Sequence, residues 1–190
     1  MGRLLFGLSL MLLITGCASI SQEQCLAGNW QDLGYKDGRN GADITRVQNY
    51  AEVCTEHGVR LNADLYSVGY KQGIQTYCTE ARGFRSGEDG SSFNKACLEF
   101  TEYKRAFSDG RVIYEIKSKY YELINEYKGL LDDYYALETK LEVEDTLSFK
   151  KRKKLQLKQK QITRELRGLR YDIRDYEKIH GFERIRLDGI

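Results

Sequence analysis

Apolar positions in the C-terminal half of the chain recur with the spacing of a helix seam. Ile113, Ile116, Tyr120, Leu123, Tyr127, Leu130, Tyr134, Leu137 and Leu141 lie alternately three and four residues apart, a sustained heptad pattern. Leu155, Ile162, Leu166, Leu169, Ile173 and Tyr176 continue it in a second run, weakest near Gln159. Between the runs, Asp145-Thr146-Leu147-Ser148 offers caps for a new helix. The pattern predicts a long antiparallel helical hairpin, a coiled coil, over residues 98–180, followed by a C-terminal tail at 181–190. Tyrosines in the first seam must bring their hydroxyls to water or to a partner. A parallel homodimer through that seam is the alternative.

Toward the N-terminus the pattern changes. Gly34-Tyr35-Lys36-Asp37-Gly38, Gly69-Tyr70-Lys71-Gln72-Gly73, Gly83-Phe84-Arg85-Ser86-Gly87 and a decayed Ala106-Phe107-Ser108-Asp109-Gly110 repeat one short motif, with starts 35, 14 and 23 residues apart. Such uneven spacing argues against a solenoid, whose stacking needs a constant period. The flanks lack the period-two alternation of strands, which favours helices over hairpin turns. On a helix, Trp30, Gly34, Gly38 and Gly41 share one face, and Tyr66, Gly69, Tyr70, Gly73 and Tyr77 share another.

Each internal glycine costs about 1 kcal/mol relative to alanine. Close approach of another helix, with an aromatic ring laid in the groove, is the expected compensation; the other reading puts the glycines in loops. Helices are predicted over about Leu26 to Gly41, Asp43 to His57 with Gly58 as the stop, and Asn62 or Asp64 to Cys78. Residues 79–91, rich in Gly, Ser and charge, are predicted to form a loop. The absence of proline throughout the chain fits long helices, and the fold class is all-α.

The first residues read as an address. Arg3 is a minimal positive region, Leu4 to Ile14 is an apolar run too short to span a bilayer, and Ile14-Thr15-Gly16 precedes Cys17. This ending resembles a bacterial lipobox, which implies a signal peptide at 1–16, lipidation of Cys17 as the new N-terminus, and a tether at 17–24. Ala18 and Ser19, with no Asp at the second mature position, resemble the pattern of lipoproteins sent to the outer membrane. The implied location is its periplasmic face, held by acyl chains.

With Cys17 given to lipid, Cys25, Cys54, Cys78 and Cys97 remain, an even number for an oxidising compartment. Gaps of 29, 24 and 19 residues between successive cysteines, and only two histidines, argue against a metal site. If the first two helices pack antiparallel, Cys25 lies opposite Cys54, and the same logic brings Cys78 across the following loop to Cys97. Cys54 and Cys78 would sit at opposite ends of a helical pair, beyond the about 7 Å Cα separation a disulfide allows. The expected head is therefore a small disulfide-stapled helical domain over residues 25–97.

Asn29 to Gly41, Leu65 to Gly73 with Tyr77-Cys78, and Ala81-Arg82-Gly83 with Ser92-Phe93 before Cys97 resemble the bacterial lipoprotein family catalogued as domain of unknown function 2799. The resemblance covers the leader and residues 25–97. Some members lack the earlier cysteine pair and keep the later one, which suits the pairing above. The family implies an address and a shape but no activity, and the coil beyond Phe100 departs from its shorter members.

The formal charge of +2 falls to +1 without Arg3, which implies no general affinity for nucleic acid. Its distribution is uneven: Arg111 to Asp145 holds 5 basic and 9 acidic side chains, and Thr146 to Ile190 holds 14 basic and 6 acidic. Opposite signs suit two helices lying against each other. Lys150-Lys151-Arg152-Lys153-Lys154 falls near the hairpin tip, where it reads either as a solvated helix start or as a contact for anionic headgroups, acidic cell-wall polymer or an acidic partner. Lysines at a helix N-terminus oppose the dipole, which costs about a few tenths of a kcal/mol each.

Catalytic patterns are sparse. His57 and His180 both read as exposed helix-terminal residues, and no nucleophile elbow, phosphate loop or Cys-x-x-Cys pair is present. The expected function is a non-catalytic envelope lipoprotein without cofactor or metal, binding or spacing an envelope partner. Trp30, Tyr66 and Tyr70 are candidate docking residues if they are not core. The alternative is a periplasmic enzyme acting on cell-envelope polymer.

Overall fold

The computed structural model describes residues 20–143 and 147–187, so Cys17, the leader, Asp145 and Thr146 lie outside the described residues. Among the described residues there are seven α-helices and no strand: α1 Gln22–Ala27, α2 Trp30–Arg39, α3 Arg46–Glu56, α4 Ala63–Tyr77, α5 Glu80–Glu88, α6 Thr101–Val143 and α7 Phe149–His180, with a 3₁₀ turn at Lys95–Cys97. They form two compact units, one of residues 20–82 and 94–104, the other of 83–93 and the described part of 105–187. No helix among the described residues is long and apolar enough to cross a membrane.

In the first unit, α2 and α4 pack backbone to backbone. A Cβ placed on Gly34 or Gly38 would collide with the carbonyl of Tyr66 or Tyr70, and one on Gly69 or Gly73 with the carbonyl of Gln31 or Tyr35. The recurring glycines are thus helical, and what fills their grooves is the facing main chain. The expected aromatic ring appears one turn further on. Gly41, predicted on the helix face, lies past the end of α2 at φ 68°, and the Tyr77 ring covers it where a Cβ would sit.

The second unit repeats this construction. Gly87 of α5 abuts the Phe107 carbonyl of α6, Gly110 abuts the Phe84 carbonyl, and the Tyr114 ring covers Gly90, whose φ is 72°. Gly34, Gly38 and Gly41 correspond to Gly83, Gly87 and Gly90, while Tyr66, Tyr70, Gly73 and Tyr77 correspond to Tyr103, Phe107, Gly110 and Tyr114. The four motif copies are therefore two helix pairs, first with second and third with fourth. The uneven spacing arises because α3 is inserted between the members of the first pair.

Two predicted elements change. The single helix from Leu26 to Gly41 is broken at Gly28, where a left-handed φ of 62° ends α1. Ser21 caps α1 reciprocally with Gln24. Residues 79–91, predicted as a loop, contain α5: Gly83 and Gly87 are buried, so glycine there marks close packing rather than irregular chain. The second predicted helix starts later than Asp43, whose carboxylate accepts from the N–H and hydroxyl of Thr45 in a turn before α3. Asn62 caps α4 by accepting from the Leu65 N–H at 3.1 Å.

Both expected bridges are formed, Cys25 to Cys54 and Cys78 to Cys97, each with a Cα separation of 5.4 Å. Both lie in the first unit. There they fasten α1 to α3, and the end of α4 to the 3₁₀ turn.

In the second unit Tyr120, Leu123, Tyr127 and Leu137 of α6 cluster with Ile162, Leu166, Leu169 and Ile173 of α7. Tyr176 donates to the Ile116 carbonyl, Arg170 to the Tyr127 hydroxyl, and Arg152 to the Leu141 carbonyl. The order of these contacts along α7 is the reverse of that along α6. Two seam tyrosines thereby find hydroxyl partners inside the chain. Ile124, outside the predicted seam, is also buried.

Candidate functional site

Two features carry unusual chemistry: a buried acid in each unit, and a cationic face on α7. Asp37 and Glu177 are 5% and 4% exposed. Carboxylates are rarely this buried unless paired, so the partners decide what each acid does.

Asp37 sits on α2 where Gly38 lets α4 come close. Its Oδ2 accepts from the Tyr66 hydroxyl at 2.9 Å and its Oδ1 meets the half-exposed Arg46 guanidinium at 3.5 Å. Tyr66 is fully buried, edge-on to Tyr50 at 6.2 Å and stacked on Tyr70 at the same distance. Burial, reinforced by the hydrogen bond to Asp37, drives the Tyr66 phenol far above its ordinary value, and burial followed by the Asp37 charge raises Tyr50 as well. Tyr70 donates to the Ala42 carbonyl at 2.7 Å. Nearby, Asn94 donates to the Gly41 carbonyl and to the Tyr77 hydroxyl, tying the second disulfide loop to the turn after α2.

The phenol stays protonated near neutral pH, so its hydroxyl is a standing donor to Asp37 that ties α4 to α2. Tyr66→Phe keeps the ring and removes the donor; it should cost about 1 to 3 kcal/mol in urea titrations. Arg46→Gln, at a half-exposed contact, should cost less than about 1 kcal/mol.

Glu177, on α7, accepts from the Tyr120 hydroxyl at 3.0 Å, from Arg174 at 2.8 Å and from the Ile185 N–H at 3.0 Å. Phe182 stacks on Tyr120 at 4.2 Å, and Ile185 and Leu187 pack on the same cluster. Sequence reading missed this acid because nothing but its position on the seam side of α7 distinguishes it from its neighbours. Burial pushes Tyr120 up to about 12, helped by its bond to Glu177. Burial also pushes Glu177 upward, but the Ile185 N–H, Arg174 and Tyr120 outweigh it and hold the carboxyl below its ordinary value.

A depressed acid stabilises the fold above its unfolded pKa of about 4.3, and that contribution is lost as pH falls through the lower folded value. The urea midpoint should therefore drop on acidification below about pH 4 more steeply in the native chain than in Glu177→Gln.

Trp30, Tyr66 and Tyr70 are 6%, 0% and 6% exposed, so their rings are spent on core packing and offer a partner little surface. His57 ends α3 and His180 ends α7, both exposed; His180 lies against Tyr176. Among the described residues no three His, Cys, Asp or Glu side chains are grouped to hold a metal ion.

At the start of α7, Ser148 is the N-cap, accepting from the Lys151 N–H. Lys150, Lys151, Lys153 and Lys154 are exposed. Arg152 differs from them, turning inward to the Leu141 carbonyl.

Among the described residues the chain is all-helical, with two glycine-locked helix pairs, α2 with α4 and α5 with α6, and two disulfides outside those helices. Residues 29–112 match the family described as "Protein of unknown function (DUF2799)". The match extends past Cys97 to take in the fourth motif copy, and ends two residues after Gly110. No curated protein and no solved structure matched the chain.

Proposed function

We propose that this chain is a non-catalytic lipoprotein of the bacterial envelope, lipidated at Cys17 and held at the periplasmic face of the outer membrane, that binds or spaces an envelope partner. In this reading each glycine-locked pair is rigid in itself, and α6 and α7 act as an antiparallel coiled-coil hairpin that presents the partner-binding surface. The observation that carries it is the pair of disulfides in the first unit, which is matched to an oxidising compartment. The lipobox-like ending at Cys17 supports the anchor, since several acyl chains amount to permanent docking. The reversed order of the α6–α7 contacts supports the hairpin.

Labelled palmitate should enter the protein in growing cells and should not enter Cys17→Ala. Labelling of that variant, or a native chain that stays unlabelled with its leader uncut, would sink the anchor. Incubation with cell-wall material should release no product. Cleavage that is lost in His57→Ala would replace the reading with an enzyme.

A further inference from the structure

The side of α7 turned away from the α6 cluster combines two properties that seldom share one surface. Its core side is set by Ile162, Leu166, Leu169 and Ile173. At 100° per residue the opposite side carries Lys150, Lys153, Lys160, Arg164 and Arg167, all exposed. Between Phe149 and Tyr171 no carboxylate falls on this side; Glu165 and Asp172 lie on its flanks and Asp175 follows one turn later. The stripe runs about 33 Å.

Interleaved with the cations are three large apolar side chains facing solvent: Phe149 at 83%, Leu157 at 58% and Tyr171 at 74% exposure. Cations alone would suit any polyanion. Exposed Phe, Leu and Tyr among them suit a medium that is negative outside and oily just beneath, as when a cationic amphipathic helix lies in a bilayer interface with apolar groups among the headgroups.

We propose that the outer face of α7 docks on an anionic phospholipid surface, with Phe149, Leu157 and Tyr171 entering the headgroup layer and the five cations pairing with lipid phosphates. The cationic run at the start of α7 is then one end of a longer contact. This surface lies wholly within α7 and is independent of any lipid on Cys17, so the two ideas fail separately.

The test uses the unlipidated chain from Ala18 to Ile190, which retains every described residue, mixed with phosphatidylcholine vesicles with and without phosphatidylglycerol. Cosedimentation should require phosphatidylglycerol and weaken with salt. Lys153→Glu with Lys160→Glu and Arg164→Glu should reduce binding at least about tenfold with helicity unchanged by circular dichroism. The corresponding triple Gln variant, which removes charge without reversing it, should weaken binding by a smaller factor and covers the case in which reversal disturbs the helix. In a Tyr171→Trp chain the added emission should shift blue on anionic vesicles.

Equal binding to neutral vesicles, binding unchanged in both triple variants, or no blue shift on binding would overturn the proposal. So would capture of soluble polyphosphate or acidic polysaccharide with no binding to vesicles, which would make the face a polymer track.

Discussion

Gly69→Ala is expected to remove about 3 kcal/mol or more of stability, because a methyl group there has nowhere to go. The new Cβ would strike the Gln31 carbonyl and come within 2.9 Å of the Tyr35 amide nitrogen. Both are main-chain atoms of a neighbouring helix, so relief requires α2 and α4 to separate, which breaks the matching contacts at Gly34, Gly38 and Gly73 together. A melting temperature lower by on the order of 10 °C or more should follow.

Gly129→Ala and Gly168→Ala should act in the opposite direction. Both glycines lie within long helices, and a Cβ at either meets nothing within 4 Å. Each substitution should stabilise by about 0.5 to 1 kcal/mol through helix propensity and a less flexible unfolded chain. Urea titration of the three variants reads the sign directly. A neutral Gly69→Ala would mean that main-chain contact is not what joins α2 to α4.

Loss of the disulfides is the second large effect, and it should fall mainly on the first unit. Cys25–Cys54 and Cys78–Cys97 close loops of 29 and 19 residues; all four cysteines lie in the first unit, although the second loop passes through residues 83–93 of the other. Each should contribute about 3 to 4 kcal/mol on loop-closure grounds, before any strain. A small unit with few buried aliphatic side chains has little to set against that loss. Replacing both pairs with serine, or reducing them, should therefore raise amide exchange through α1 to α4 to near-unfolded rates. The α6–α7 cluster from Tyr120 onward, which contains no cysteine, should keep its protection. Equal loss of protection in both would mean that the units do not unfold separately.

What was legible in the sequence depended on how far each signal reached. The seam residues of α6 and α7 stand out because their spacing is a local periodicity, and Asn62 and Ser148 cap the helices they precede for equally local reasons. The cysteine pairing was legible because few arrangements let helices of those lengths bring the sulfurs together. The glycines misled where their meaning depended on distant chain. Gly83 and Gly87 read as loop residues, since nothing nearby shows that Phe107 will lie against Gly87. Gly28 read as helix interior, although its left-handed φ ends α1.

Glu177 could not be singled out at all. Its burial depends on Tyr120, Arg174 and the segment after α7, and an acid beside a seam position usually points to solvent. The aromatic residues proposed as a docking surface were ambiguous for a related reason: Trp30 and Tyr70 have the same spacing whether they line a groove or fill a core.

The repeated helix pair also bears on how such a domain can be taken apart and rebuilt. The lock lies in the glycines and the ring over the following turn, and both pairs have it, whereas the extra helix separates the members of the first pair alone and all four cysteines lie outside the mating helices. The sulfur links thus stabilise the first unit from outside a common module of about thirty residues. An engineer could shorten the insert, or move the bridges to the other copy, and still leave the mating surfaces intact.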